Sequence, residues 1–181
     1  MLFADVKARI PDVLYPMFAE DKLVVAGGAL LRAIIGAVEA DIDIFCVTPD
    51  AEAEVKKLLG PYVITSEQEG SDVKSVHYMW AGTVLDVVPL REDWDIDSGT
   101  GTVQAILDSF DIGISQFATN FEVMFLTDEA LKGLVQRQVV QLKHRNTTLQ
   151  RMDKYSILTG WVEHLLTMPP MQRAIPRWAG Y

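Results

Sequence analysis

Cysteine and histidine are scarce in this chain, and it contains no long apolar run. The single cysteine, Cys46, cannot form an internal disulfide framework, which favours a reducing compartment. The three histidines, His77, His144 and His164, are too scattered to supply a zinc site of the usual Cys/His spacing. The longest apolar stretch begins at Leu23 and meets a charge after nine residues, well short of the ~18 that suggest a membrane helix. We therefore expect neither a disulfide scaffold, nor a Cys/His zinc centre, nor a membrane span.

The composition is that of a globular protein with an uneven charge distribution. The 181 residues are 49% apolar and 23% charged, which suits one packed domain better than a disordered chain. No secretory signal pattern is visible at the amino terminus, so a cytoplasmic location is expected. The net charge of −9 divides into −15 over residues 1–131 and +6 over residues 132–181. So acidic a body is poorly suited to duplex DNA, whereas an acidic metal site facing basic phosphate-binding residues is compatible with it.

Apolar periodicity and turn residues predict short helices and strands in alternation. Helices are predicted over 3–20, with Pro11 as a candidate for a bend, and over 29–35, 50–59, 101–109 and 147–166, with another beginning after Thr127. Strands are predicted over 23–26, 41–47, 62–65, 73–80, 83–89, 122–126 and 139–142. This order predicts an α/β (α+β) fold in which helices flank one small mixed sheet. We expect a head domain over residues 1–146 and a short helical extension over residues 147–181.

Two carboxylates, Asp41 and Asp43, are two residues apart on a predicted strand, so both project from one face of it. The intervening Ile42 then points into the core. Two carboxylates held this close repel each other unless a cation lies between them. Oxygen donors of this kind suit Mg²⁺ or Mn²⁺, together with substrate phosphate. The alternative is an ordinary hydrated strand end.

A double glycine, Gly27-Gly28, follows an apolar strand and begins a helix shortly before the two carboxylates. Glycines allow a phosphate to approach the backbone closely, and a helix amino terminus offers unpaired N–H donors. By itself the pair also fits a simple turn. Together with the aspartates beyond the next helix, it predicts a phosphate site beside a metal site.

A third carboxylate, Asp86, lies within the β-branched stretch 83–88. Burying a carboxylate there is costly unless a cation or an arginine neutralises it. If this strand lies beside the one that carries Asp41 and Asp43, the three side chains form a cluster able to hold two metal ions. The alternative is an edge strand on which Asp86 faces water.

These motifs together resemble the DNA polymerase beta-like nucleotidyltransferase superfamily, and more narrowly the head domain of poly(A) polymerases and CCA-adding enzymes. In that group, GG-x-V-R-D-x-L-L-G precedes a D-x-D strand, as GGALLRAIIG precedes DIDIF here. Further similar segments follow in the same order: LDVVPLR (85–91), SFDIGISQFA (109–118) with Asp111 at the group's aspartate, DEALKGLVQRQVVQL (128–142), and RMDKYSILTGW (151–161), which resembles the start of the neck helices. The resemblance covers about residues 22–161.

The resemblance implies a nucleotidyltransferase-like fold with a neck-like extension and a metal-dependent transfer of a nucleoside monophosphate from a nucleoside triphosphate, with release of pyrophosphate. It implies Mg²⁺ or Mn²⁺ as the cofactor, and an RNA end, a protein side chain or a small molecule as the acceptor. The implied catalytic and metal-binding residues are Asp41, Asp43 and Asp86. The implied nucleotide-binding residues are Gly27, Gly28, Arg32, Arg145, Arg151 and Lys154.

Several positions depart from the group's pattern and support other hypotheses. The group's arginine–aspartate pair falls on Leu31 and Arg32, and its two later arginines fall on Ser109 and Phe110. The nucleotide-selecting E-D-x-x-R motif is not evident near residues 147–155. A second hypothesis is therefore an inactive module of this fold that binds a nucleotide or a protein partner. A third is that the basic segment 143–154 docks an acidic partner or a nucleic acid, with binding that weakens steeply with salt.

Overall fold

The computed structural model of this chain describes residues 3–37, 41–65, 75–92, 99–145 and 147–164. The helices in these ranges are α1 (Ala4–Lys7), α2 (Tyr15–Ala19), α3 (Gly28–Ile35), α4 (Ala51–Leu59), α5 (Gly99–Ser109), α6 (Asp128–Gln136) and α7 (Thr148–Thr159). The strands are β1 (Leu23–Ala26), β2 (Asp41–Cys46), β3 (Val63–Thr65), β4 (Val76–Trp80), β5 (Thr83–Val88), β6 (Phe117–Thr119), β7 (Met124–Leu126), β8 (Gln138–Val140) and β9 (Val162–His164). None of the helices in the described ranges has the length and apolar character that crossing a membrane requires.

Seven of these strands form one mixed sheet in the order β3-β4-β5-β2-β1-β6-β7. β2 and β5 are parallel, and all other neighbours in this sheet are antiparallel. The turn at Ala81 and Gly82 joins β4 to β5 as a hairpin, as the sequence predicts. The predicted α/β (α+β) fold with a small mixed sheet is confirmed, and β2 lies at its centre.

The two faces of β2 differ, because successive side chains of a strand point to opposite sides. Ile42, Ile44 and Cys46 are fully buried on one face, in the cluster that also includes side chains of α2, α3 and α4. Full burial of an isoleucine stabilises the fold by about 1.5–3 kcal/mol. On the other face, Phe45 packs with residues of α5. Asp41 and Asp43 project from this second face as well. They lie before Phe45 on β2, where α5 does not cover the strand.

Cys46 is part of the apolar core and not of a reactive site. Its side chain is fully buried, and burial raises the pKa of the thiol to about 12. A thiol with so high a pKa is almost entirely protonated at neutral pH, and a protonated thiol is a poor nucleophile. Cys46 is therefore not a candidate nucleophile.

The segment predicted as one helix over residues 3–20 is divided into α1, a 3₁₀ turn over Asp12–Leu14, and α2. The break is at Pro11, whose backbone is extended with ψ of 130°. Proline has no N–H to donate to the preceding turn, so a helix cannot continue through it without distortion. Of the apolar residues at helical spacing, Val13 is 48% exposed, whereas the others are buried: Val6, Ile10, Leu14 and Met17. The prediction of one continuous helix was therefore wrong, and the chain divides at Pro11.

The carboxyl-terminal helix is also shorter than the predicted range 147–166. α7 ends at Gly160, whose φ of 68° lies in the left-handed region that glycine adopts readily. The chain then forms β9, which pairs in parallel with β8. Met152 and Tyr155 of α7 pack in a core cluster with residues of the head. The division at residue 146 stays a prediction, and residues 165–181, like residues 73 and 74 of the predicted fourth strand, lie outside the described ranges.

Candidate functional site

The double glycine forms a sharp turn between β1 and α3. Gly27 has φ 85° and ψ −141°, a conformation that residues with a side chain rarely adopt. A Cβ atom at Gly27 would lie 3.3 Å from both Asp43 Oδ2 and the Phe110 ring. The Gly27 N–H donates to the carbonyl of Phe117 at 3.0 Å, which fixes the turn to β6. The glycine therefore lets the amino terminus of α3 approach the carboxylates of β2.

Gly28 is the first residue of α3, and its Cα faces the hydroxyl of Tyr155 on α7. An added Cβ would lie only 2.8 Å from Tyr155 Oη, closer than unbonded atoms tolerate. The first hydrogen bond within α3 runs from Leu31 N–H to Gly27 carbonyl. The amide groups before Leu31 thus form the positive end of the helix dipole.

Gly28→Ala should consequently destabilise the protein by about 1–2 kcal/mol through overpacking against Tyr155. Adding Tyr155→Phe removes the clashing hydroxyl, so the double variant should recover at least half of the loss. The measurement is urea unfolding of the wild type, both single variants and the double variant. If the two substitutions have additive effects, the contact between these residues is not the cause.

The three predicted carboxylates project from one face of the sheet. Asp41 and Asp43 alternate with buried Ile42 along β2, and Asp43 pairs in register with Asp86 of the parallel strand β5. Residues at paired positions of neighbouring strands lie side by side on the same face. Asp86 is therefore adjacent to the Asp41–Asp43 pair, and not on the opposite side of the sheet.

The three carboxylates are not gathered around one point, however. Among the described residues, no three His, Cys, Asp or Glu side chains are placed so that they could hold one metal ion. Asp86 has one buried oxygen, Oδ1, which accepts no hydrogen bond from the described part of the chain. An unsatisfied buried carboxylate oxygen is costly, and a bound cation would satisfy it. The carboxylate oxygens, including the unpartnered Oδ1 of Asp86, are ligands that suit a divalent ion. The three side chains would have to move closer to one another to bind the same ion.

A cleft of about 150 Å³ lies between the amino terminus of α3, the start of β2 and α7. It brings together residues that are far apart in the sequence. Its lining consists of Gly28, Ala29, Arg32, Asp41, Asp43, Phe110, Arg151, Lys154 and Tyr155. Two carboxylates thus face three basic side chains across a narrow polar space. Six of the nine predicted site residues line the cleft.

The other three predicted residues lie outside this lining. Gly27 is immediately before it and shapes the turn. Asp86 lies one strand away, beside Asp43. Arg145 is directed elsewhere, because its guanidinium donates to the carbonyl of Ser109 at 2.5 Å. Arg145 therefore lies outside the lining, and its role in nucleotide binding stays a prediction.

Arg151 is held in the cleft by a buried ion pair. Its Nη1 atom lies 2.9 Å from Oδ1 of Asp111, whose side chain is fully buried, whereas that of Arg151 is 34% exposed. Thr148 Oγ1 donates to the other oxygen of Asp111 at 2.6 Å. The Asp111 carbonyl accepts from the N–H groups of Leu142 and Lys143. Asp111 therefore fixes α7 and its arginine to the head.

The departures from the family pattern have a clear structural result. Leu31 is fully buried in the core cluster that includes Met152 and Tyr155, whereas the next residue, Arg32, lines the cleft. Phe110 places an aromatic ring in the cleft and packs edge-on against Phe45 at 5.9 Å. α3 therefore still contributes one cation to the cleft, Arg32, which is one position after the arginine of the group's pattern.

Sequence reasoning did not identify Ala29, Phe110 or Tyr155 as lining residues. For Tyr155 a signal was available, because it is four residues after Arg151 and one after Lys154, on the same side of a helix. Phe110 carried no such signal, since its place in the cleft depends on the irregular chain between α5 and β6.

Comparison with known proteins gives matches in structure but not in sequence. No family model and no curated protein match the chain. A CCA-adding enzyme in complex with ATP matches with TM-score 0.63 and 15% identity, over 90% of this chain and 42% of that enzyme. An apo form of a CCA-adding enzyme matches with TM-score 0.64 and 16% identity, over 90% and 42%.

A third match is a tRNA nucleotidyltransferase complexed with a primer tRNA and an incoming ATP analogue. Here the TM-score is 0.57 and the identity 15%, over 83% of this chain and 46% of the other. The chain thus spans less than half the length of each of these enzymes. At identities this low, these structural matches establish similarity of fold alone. Over most of its length, the chain has the nucleotidyltransferase-like fold of the CCA-adding enzymes, as its motifs predict.

Proposed function

We propose that this chain is a nucleotidyltransferase that transfers a nucleoside monophosphate from a nucleoside triphosphate to an acceptor, with release of pyrophosphate. The observation that carries the proposal is the single cleft in which Asp41 and Asp43 face Arg32, Arg151 and Lys154. Opposed groups of this kind suit a substrate that is both a polyanion and a metal chelator. The fold shared with tRNA nucleotidyltransferases supports the same conclusion.

The basic side of the cleft is suited to the outer phosphates of the triphosphate. The first amides of α3 direct their N–H groups towards the turn, and a helix amino terminus favours anions. Arg32, Arg151 and Lys154 add three positive charges within the same lining. The volume of about 150 Å³ is below the ~300 Å³ that encloses a whole small ligand. The cleft therefore holds the phosphate end, while the ribose and base extend outside it.

The acidic side is suited to Mg²⁺ or Mn²⁺, which Asp41, Asp43 and Asp86 would hold. Such an ion, when bound, lowers the pKa of an acceptor hydroxyl and neutralises charge on the phosphates. Two observations support this assignment: Asp41 and Asp43 lie two residues apart on β2, and Asp86 pairs in register with Asp43. The carboxylate of Asp43 lies beside Gly27, where the phosphates would approach.

The reaction joins the acceptor oxygen to the α-phosphorus while the bond to the β-phosphate oxygen breaks. The acceptor hydroxyl releases its proton to water, and pyrophosphate leaves with the electron pair of the broken bond. Arg32, Arg151 and Lys154 stabilise that departing charge, because they line the cleft in which the outer phosphates would lie. Positioning and charge neutralisation provide most of the acceleration in phosphoryl transfer.

The acceptor is an RNA end, a protein side chain or a small molecule. One structural neighbour holds a primer tRNA together with an ATP analogue, which favours an RNA end as the first acceptor to test. In this proposal residues 1–146 form the head that carries the cleft, and residues 147–181 form an extension whose helix α7 completes it.

A second candidate is a module of the same fold that binds a nucleotide without turnover. It is favoured by the fact that the carboxylates are not gathered at one point among the described residues. Burial of Leu31, where the family has an arginine, points the same way. The third hypothesis, docking of an acidic partner or a nucleic acid through residues 143–154, stays a prediction; Lys143, Arg145 and Lys154 of this segment are exposed.

The test is a screen of the four nucleoside triphosphates with Mg²⁺ and with Mn²⁺. A triphosphate present at 100 times its dissociation constant should stabilise the protein by about 2.7 kcal/mol, seen as a rise in Tm. Transfer of an α-phosphate label to a panel of RNA ends and to the protein itself should then follow. Binding without release of pyrophosphate would select the inactive module, and the absence of both would exclude a nucleotide function.

A further inference from the structure

His77, Asp86 and Asp43 form a row across three neighbouring strands. β4 and β5 pair so that His77 faces Asp86, and β5 and β2 pair so that Asp86 faces Asp43. Paired positions share one face of the sheet, so an imidazole extends the row of carboxylates. None of the motifs in the sequence includes this histidine.

His77 and Asp86 direct two atoms towards each other, Nε2 and Oδ1, that do not form a hydrogen bond with each other. Asp86 Oδ1 is buried and accepts no hydrogen bond from the described residues. His77 Nε2 lies 3.9 Å from it, which is too far for a hydrogen bond. The same nitrogen is 3.5 Å from Ser75 Oγ, at the outer limit for such a bond. Both side chains are largely shielded from water, with exposures of 19% and 25%.

The separation of 3.9 Å is longer than that between two neighbouring ligands of one metal ion, but by less than about 1 Å. Transition-metal ions bind imidazole nitrogen and carboxylate oxygen at about 2.1 Å, so ligands at right or tetrahedral angles lie about 3.0–3.4 Å apart. Small rotations of the two side chains would place an ion between them. No third His, Cys, Asp or Glu is gathered with them in the described ranges, so water or phosphate oxygens would complete the coordination.

We propose that His77 and Asp86 bind one first-row transition-metal ion at the end of this row, with preference over Mg²⁺. An imidazole nitrogen suits such ions, whereas Mg²⁺ favours oxygen ligands alone. This inference rests on the proposed function in one respect: if the chain is a nucleotidyltransferase, Mn²⁺ or a similar ion is its preferred cofactor. Binding of the ion does not depend on nucleotide transfer.

The test uses Mn²⁺ alone as the probe, titrated into the full chain without nucleotide and followed by electron paramagnetic resonance. The wild type should bind Mn²⁺ with spin-echo modulation from a directly coordinated ¹⁴N nucleus. His77→Gln should remove that modulation and weaken Mn²⁺ binding by about 10-fold or more. Competition by Mg²⁺ should become more effective in the same variant.

His144→Gln is the matched control, because His144 is exposed and bonded to Gln141, away from β4 and β5. It should keep both the ¹⁴N signal and the affinity. Retention of the ¹⁴N signal in His77→Gln, or absence of that signal in the wild type, would overturn the proposal.

A measurement on the unaltered protein covers the case in which His77→Gln does not fold. Substoichiometric Mn²⁺ should broaden the ring resonances of His77 more than those of His144. Equal or reversed broadening would reject the site. None of these readouts requires catalysis, so a failure of the metal site and a failure of nucleotidyl transfer are recorded separately.

Discussion

Asp43→Asn is expected to reduce nucleotidyl transfer at least about 100-fold while the fold survives. Asparagine has almost the same shape as aspartate, but it has no charge with which to hold a divalent ion beside Gly27. A loss of 100-fold corresponds to about 2.7 kcal/mol of transition-state stabilisation, within the range for removing one strong electrostatic contact. The measurement is transfer of label from an α-labelled triphosphate, with Mg²⁺ and Mn²⁺ varied.

The matched control is Asp12→Asn, which makes the same charge change at an exposed residue outside the cleft. It should leave transfer within about twofold, and both variants should unfold within about 1 kcal/mol of the wild type. Full activity of Asp43→Asn would remove the Asp43 carboxylate from the mechanism.

Arg151→Met should destabilise the protein by about 3 kcal/mol. It leaves the fully buried carboxylate of Asp111 with its Thr148 hydrogen bond but without its positive partner. Breaking a buried ion pair from one side costs about 3–5 kcal/mol, and the lower end applies because Arg151 is 34% exposed. At this chain length, 3 kcal/mol lowers Tm by roughly 6–12 °C. Triphosphate affinity should fall in the same variant, because α7 supplies one wall of the cleft.

Arg145→Met is the control for this effect, because Arg145 is exposed and donates to the Ser109 carbonyl. We expect it to change stability by less than about 1 kcal/mol, so it controls for the loss of the ion pair. The double variant Asp111→Asn/Arg151→Met should be more stable than Arg151→Met alone, since it removes the orphaned charge. A double variant that simply adds the two losses would show that the ion pair is not coupled.

The part of the site that follows from local spacing could be predicted from the sequence. A D-x-D pair on a strand must project from one face, and glycines between a strand and a helix must make a tight turn. Those rules predict that Gly28, Asp41 and Asp43 lie near one another, and all three line one cleft. The register of β2 with β5, which puts Asp86 on the same face, agrees with the expectation that the two strands are neighbours.

The rest depends on side-chain positions that spacing does not determine. Packing between distant segments decides that Asp86 lies outside the cleft lining and that Phe110 lies within it. It also decides that Arg145 contacts a backbone carbonyl. The break at Pro11 shows the same limit in the fold. Its apolar positions had helical spacing, but a backbone property of one residue decided the local structure.

The two walls of the cleft are separated by more than a hundred residues of chain, since Asp41 and Asp43 lie on β2 whereas Arg151, Lys154 and Tyr155 lie on α7. During synthesis β2 emerges from the ribosome first, and α7 follows only after about a hundred further residues have been translated. A nascent polypeptide that ends before Thr148 would therefore have Asp41, Asp43 and Arg32 without the helix that carries Arg151 and Lys154. Under the proposed function, we expect the site to bind a triphosphate only after α7 has packed against Asp111.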